Sequence, residues 1–196
     1  MAPMRLGHLA LLLAALVVGG TTASAAPAKK KFHFELTTVT PKSEVKPDVA
    51  KAAVPRVEAQ VKKAFETDPQ LVATLEGAPD KSNGDAYRKF LVKKGLSGSF
   101  LVTVEITEAS EETQPMEGKP HSQRLVVHVA LHMLGEVIPD RTMGFTGDGQ
   151  ATIKLEVGSK IRDKDREYSW DQAAEAAVAD AMKTVFKQLQ VPLKKP

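Results

Sequence analysis

The chain has 196 residues, no cysteine, 42% hydrophobic and 26% charged residues, and a formal net charge of +3; its aromatics are seven Phe, two Tyr and one Trp. The missing cysteine excludes a disulfide framework, a thiolate zinc site, an iron–sulfur cluster, a cysteine nucleophile and a lipid-modified N-terminal cysteine. The apolar and charged fractions are those of a globular chain with room for one domain, and the thin aromatic share points to a core built on Val, Leu, Ile and Ala.

Arg5, the apolar run Leu9–Val18, the break Gly19-Gly20-Thr21-Thr22 and the small-x-small Ala23-Ser24-Ala25 follow the order of a secretory signal peptide. The apolar run is well short of the roughly 20 residues a membrane-spanning helix needs. Residues 1–25 are therefore read as a signal peptide cut after Ala25, with Ala26 the next choice, and 26–31 as a short tether. Residues 32–192 are read as a single domain, with no stable membrane anchor and a location in the periplasm or outside the cell. Loss of Arg5 takes the net charge from +3 to +2, too little for a long-range field. Basic residues cluster at Lys29-Lys30-Lys31 and Lys194-Lys195 near the two termini, without interleaved aromatics, so nucleic acid is not an expected partner. A weak attraction to anionic polymer or lipid headgroups is the most these tails suggest.

Phe32 to Val39 alternates apolar and polar residues and reads as a strand ended by Pro41 and Pro47. Val54, Val57, Val61, Ala64 and Phe65 recur at helical spacing within 48–66, and Pro55 either starts or kinks that helix. Gln70 to Leu75 suits a short strand, and Gly77 to Gly84 is turn-rich. Asp85 to Lys94 reads as a short helix stopped by Gly95. Phe100 to Thr107 is the clearest strand, followed by an acidic loop from Glu108 to His121. Leu125 to Leu134 is a second alternating strand. A glycine-rich segment, Gly144 to Gly149, separates it from a third, Ala151 to Val157. Ser169-x-x-Gln172 has the form of a capping box opening a final helix to about Gln190. Its expected buried stripe is Ala174, Ala177, Val178, Ala181, Met182, Val185 and Leu189. The fold class is α+β: a mainly antiparallel sheet with helices packed on one face.

Few motifs carry chemistry. His128 and His132 have the i, i+4 spacing of a metal site on a helix, but on a strand four residues set them about 13 Å apart. They are read as a solvated pair on the open sheet face and as an interaction surface. Gly144-Phe145-Thr146-Gly147-Asp148-Gly149 lacks the Lys-Ser/Thr of a phosphate loop and precedes a strand, so its glycines point to a bulge or tight turn. Asp163-x-Asp165-x-Glu167 opens like a calcium loop, but Tyr168 stands where Gly is required and Ala174 where Glu is. It is read as a charged loop before a helix N-terminus. There is no Gly-x-Ser-x-Gly elbow. No catalytic residue, metal ligand or cofactor is expected.

The run Lys93-Lys94-Gly95-Leu96-Ser97-Gly98 into the strand Ser99–Thr107 sets a helix end against a hydrophobic strand. The strand Arg124–Leu134, the return Gly149-Gln150-Ala151-Thr152-Ile153 and the Ala-rich final helix follow. This order resembles the periplasmic α+β domain shared by the curli secretion protein CsgG, the N-terminal domain of TolB and the penicillin-binding-protein activator LpoB. The likeness spans residues 32–190 and is one of order and texture. The chain departs from it in having neither a lipobox cysteine nor a propeller domain. What the resemblance implies is non-catalytic work by protein contact in the cell envelope. The rival expectations are a small hydrolase with a spatially assembled His and carboxylate, and a carrier of a small apolar ligand.

Overall fold

The computed structural model describes residues 30–191. The signal peptide, its cleavage site at Ala25, most of the tether and Pro192 lie outside the described residues. The elements in order are β1 (Lys31–Pro41), α1 (Pro47–Thr67), α2 (Gly84–Lys93), β2 (Leu96–Pro115), β3 (Ser122–Val137), β4 (Met143–Gly158) and α3 (Asp163–Gln190). The strands form one sheet in the order β1-β2-β3-β4. β2, β3 and β4 are antiparallel neighbours, while β1 runs parallel to β2. The α+β class with a mostly antiparallel sheet is what the alternation and the helical stripes predict.

Alternation puts Phe32, Phe34, Phe100, Val102, Val104 and Ile106 on one face, where they join one core with α1 and α3. The few aromatics are gathered rather than spread. Phe34 packs edge-on against Phe65 and Phe100, at 5.4 and 5.6 Å between ring centres, and stacks on Phe186 at 6.1 Å. Edge-to-face pairs suit the ring quadrupoles and add to the area they bury. Around this hub the core is aliphatic, with Val57, Val61, Val102, Val104 and Val129 fully buried.

The loop expected at Glu108–His121 is mostly strand. Ile106 pairs with Leu131 and Glu108 with Ala130, so Thr107 is an extra, bulged residue. The bulge shifts the phase by one. Before it the even-numbered residues face the core; after it Ala109 and Glu111 do. A simple alternating pattern ends at the bulge, while the strand itself runs on to Pro115. Only the turn between β2 and β3 remains as a loop, with Gly118 at φ +74°.

The glycines expected to separate two strands lie inside β4. Gly144 is the bulge that was expected, since Gly135 pairs with Phe145 and Glu136 with Met143. Gly147 and Gly149 answer to a different cause, the near approach of α3. A Cβ on Gly147 would lie 2.5 Å from Val185 Cγ2, and one on Gly149 would lie 2.1 Å from the Ala177 carbonyl oxygen.

The final helix starts nearly two turns before the expected cap. Its N-terminal closure is Arg162 with Asp165, whose carboxylate accepts from the Arg162 N–H at 3.4 Å and from Nε at 2.9 Å. Ser169 is buried in the second turn, and its hydroxyl donates to the Asp165 carbonyl at 2.8 Å. The charged stretch 163–167 is thus the first turn of α3, not a loop before it. The buried stripe adds Trp170, Ala173 and Phe186 to the expected residues, with Leu189 only partly buried.

α1 begins at Pro47 and passes through Pro55. Of the expected strand at 70–75 only Leu71 bridges, to Phe32. α2 is capped by Asn83, whose side chain accepts from the Ala86 N–H, and Gly95 follows it at φ +70°. Its Tyr87 and Leu91 pack with Leu101 and Ile138 in a second small cluster. Leu101 alternates with Phe100, so α2 covers one corner of the sheet face opposite α1 and α3.

Candidate functional site

The face away from α1 and α3 carries α2 at one corner only and mixes polar with apolar residues. Along β3 it presents Val126, His128, Ala130, His132 and Leu134. His132 lies in register with Glu105 on β2 and Asp148 on β4, and His128 with Ser110 and Thr152. Each imidazole is tied to its β4 neighbour: His132 Nδ1 is 2.5 Å from Asp148 Oδ1, and His128 Nδ1 is 2.9 Å from Thr152 Oγ1. Glu108 Oε2 lies 3.5 Å from His128 Nε2. The histidine side chains are 23% and 28% exposed, while Glu108 and Asp148 stand out at 75% and 82%. The strip therefore shows solvent its carboxylates and holds the imidazoles largely covered. Among the described residues, no three His, Asp or Glu side chains converge in a way that could hold a metal ion.

A second constellation escaped the sequence. His33 is buried, and its Nδ1 lies 3.0 Å from Ser99 Oγ, which is itself 3.0 Å from the Tyr87 hydroxyl. The parallel register sets His33 beside Ser99, both opposite in phase to the core phenylalanines. Burial holds the His33 pKa below its ordinary value, opposed in part by Glu35 and by a bond to the Ala73 carbonyl. His33 and Tyr87, but not Ser99, line a depression of about 700 Å³ together with Glu35, Thr74, Asp80 and Lys81. Lys81 Nζ meets Glu35 Oε2 across it at 2.6 Å. Ser99 itself has no exposed surface. The available signal was a polar residue between two phenylalanines, Phe32-His33-Phe34, paired with a serine directly before Phe100.

Glu111, past the bulge, is the third polar feature. One carboxylate oxygen accepts from Arg166 Nε at 2.7 Å and the other from the Trp170 indole N–H at 2.8 Å. It fastens β2 to α3 and has a structural role. His121 is exposed at the turn between β2 and β3.

Among the described residues no helix is long and apolar enough to cross a membrane. No protein-family model and no curated protein matches the chain. Solved structures align with it at low similarity. A Xanthomonas campestris protein of family DUF330 aligns over 84% of this chain and 91% of its own, with 10% identity and a TM-score of 0.43. Rare lipoprotein B from Shewanella oneidensis aligns over 80% and 100%, with 9% identity and a TM-score of 0.39. A minor lipoprotein from Acinetobacter baumannii aligns over 86% and 98%, with 12% identity and a TM-score of 0.38. The likeness is a distant one of shape, and nothing about function passes from it to this chain.

Proposed function

We propose that this protein is a non-catalytic binding protein of the cell envelope that takes a protein partner on the open face of its sheet. The observation that carries this reading is the strip Glu105–His132–Asp148 and Glu108–His128–Thr152, laid across three rigid strands and left uncovered by α1 and α3. Projecting carboxylates on an open sheet face suit a partner that presents Lys, Arg or amide groups to them. Two further features support it over the rivals. Ser99, the serine closest to a histidine in a depression, offers no surface to a substrate. The space between helices and sheet is filled by fully buried Val57, Val102, Val129 and Ala177, where a carrier of an apolar ligand would need an enclosed cavity.

The test is capture from an envelope extract with residues 26–196, which contain the whole described fold, beside the variant His128→Ala/His132→Ala/Asp148→Ala. The expected result is a protein recovered with the first and lost with the second, at unchanged thermal stability. Equal recovery by both would move the contact elsewhere on the molecule. Recovery of nothing above control, together with turnover of a substrate by the purified protein, would overturn the reading.

A further inference from the structure

β4 is an edge strand, and α3 closes only half of its edge. The Thr146 N–H donates to Gln188 Oε1 at 3.1 Å and the Gln150 N–H to Asp180 Oδ2 at 3.4 Å. The Asp148 carbonyl accepts from Thr184 Oγ1 at 3.3 Å. Asp180, Thr184 and Gln188 follow one another at i, i+4 along α3, so the helix lays a row of polar side chains on the edge. One turn earlier that row carries Ala176, which has nothing to donate or accept. Past Gln150, the period-two alternation turns the N–H and C=O of Thr152, Lys154 and Glu156 outward in the same way. All three residues are exposed. Among the described residues these backbone groups have no partner on the edge side. An open edge of this kind is a template for another strand.

We propose that residues 152–158 pair with the same stretch of a second copy of this chain, antiparallel, about a two-fold axis through Leu155. The side chains themselves select this occupant and this register. Lys154 then faces Glu156 of the other copy in both directions, and Thr152 faces Gly158. On the core side Leu155 meets its own counterpart and Ile153 meets Val157, extending the partly buried apolar row Ile153 and Leu155. The smallest slip that keeps each side chain on its face is two residues, in the sum of paired positions. It sets Lys154 against Lys154 in one direction and Glu156 against Glu156 in the other, and like charges directly opposite destabilise a strand pair. The α3 row ends at Gln150, so the helix leaves free the stretch this register uses. Within its own chain Glu156 already accepts from Lys119 Nζ at 2.8 and 3.0 Å, and the arriving Lys154 shares that carboxylate. Lys154 has no ion pair of its own among the described residues. The two sheets become one of eight strands, with the two-fold symmetry common in homodimers.

So short a contact lies below the roughly 1,200 Å² of a standard stable interface, so the dimer belongs to high protein concentration. Sedimentation of residues 26–196 across a wide concentration range should show a reversible monomer–dimer equilibrium. Lys154→Glu and Glu156→Lys should each weaken it tenfold or more, and the two together should restore it. Leu155→Cys, the only cysteine in such a chain, should form a disulfide-linked dimer on mild oxidation. Directly opposed residues of a non-hydrogen-bonded pair have Cβ atoms about 4.5–5.5 Å apart, close to disulfide range. Val92→Cys, 77% exposed on α2, serves as the collisional control. Circular dichroism confirms that each variant is folded. The proposal is overturned if the protein is monomeric throughout and Leu155→Cys links no faster than Val92→Cys. It is equally overturned by a dimer indifferent to both charge swaps, or by Leu155→Cys linking to a different protein instead of itself.

Discussion

Gly149 lies directly beneath Ala177, where a Cβ would come within 2.1 Å of the Ala177 carbonyl oxygen and 2.4 Å of the Ala181 amide nitrogen. Both obstacles are helix backbone, so neither can swing away as a flexible side chain would. The distance between α3 and the sheet is set at this point, and the small residues Ala173, Ala177 and Ala181, all fully buried, let the helix axis come that close.

Gly149→Ala should therefore lower the stability by about 2–3 kcal/mol, the upper range of overpacking a close-packed site. Gly158, with nothing within 4 Å of its Cβ position, is the control: Gly158→Ala should stay within about 0.5 kcal/mol of the parent. Urea unfolding midpoints at constant slope measure both.

Glu111 gives a prediction with a built-in probe, because the indole it holds belongs to the only tryptophan of the chain. Glu111→Ala leaves the Trp170 N–H and Arg166 without their acceptor and should cost about 1–3 kcal/mol. It should also shift the Trp170 emission. Glu111→Gln keeps an acceptor for the indole while losing the charge opposite Arg166, so its loss should be the smaller. Unchanged emission in the alanine variant would show that the indole does not depend on this carboxylate.

His33 makes stability depend on pH. Burial lowers its folded pKa below the unfolded value of about 6.5, so the unfolded chain binds the proton more readily. The stabilisation from keeping it neutral is complete above about 6.5 and is lost as pH falls from there toward the folded pKa. Melting curves from pH 7.5 down to 5 should show this fall. In His33→Asn, which cannot take up that proton, the slope over the same window should be shallower. Parallel slopes in the two proteins would remove His33 as the source.

The row along the β4 edge can be removed without touching the core. Asp180→Ala/Thr184→Ala/Gln188→Ala unmasks Thr146, Asp148 and Gln150 and lengthens the open edge. Light scattering on storage should show more self-association than the parent, while the urea midpoint moves little. A variant that stays as dispersed as the parent would mean that the row does not guard the edge.

The helices and strands were largely legible because their periodicities are local. Phe100 to Ile106 and Leu125 to Met133 alternate cleanly, and the Ala-rich stripe of α3 repeats at helical spacing. What was missed depends on neighbours distant in the chain. Thr107 looks like any other strand residue until Leu131 and Ala130 are set opposite its flanks. Gly147 and Gly149 look like turn formers until α3 is laid over them. Ser169-x-x-Gln172 has the letters of a cap, but the Ser169 hydroxyl is spent inside the helix on the Asp165 carbonyl, and the Arg162–Asp165 pair closes the end a turn and more earlier. At the candidate site, alternation put His128 and His132 on the open face. The assembly of His33, Ser99 and Tyr87 required the parallel pairing of β1 with β2, which no local pattern announces.

That parallel pairing also sets an order of events in time. β2, β3 and β4 follow one another through short turns and can zip together as they meet, whereas β1 has no neighbour in sequence to pair with. His33 finds Ser99 only across a sequence separation of 66, and closures of that length slow folding. The ring that Phe34 stacks on, Phe186, lies near the last described residue. The aromatic centre of the core therefore joins the first and the last of the described elements. It cannot be completed on a growing polypeptide until α3 has been made, and a chain cut short before Phe186 would leave Phe34 without the ring it stacks on.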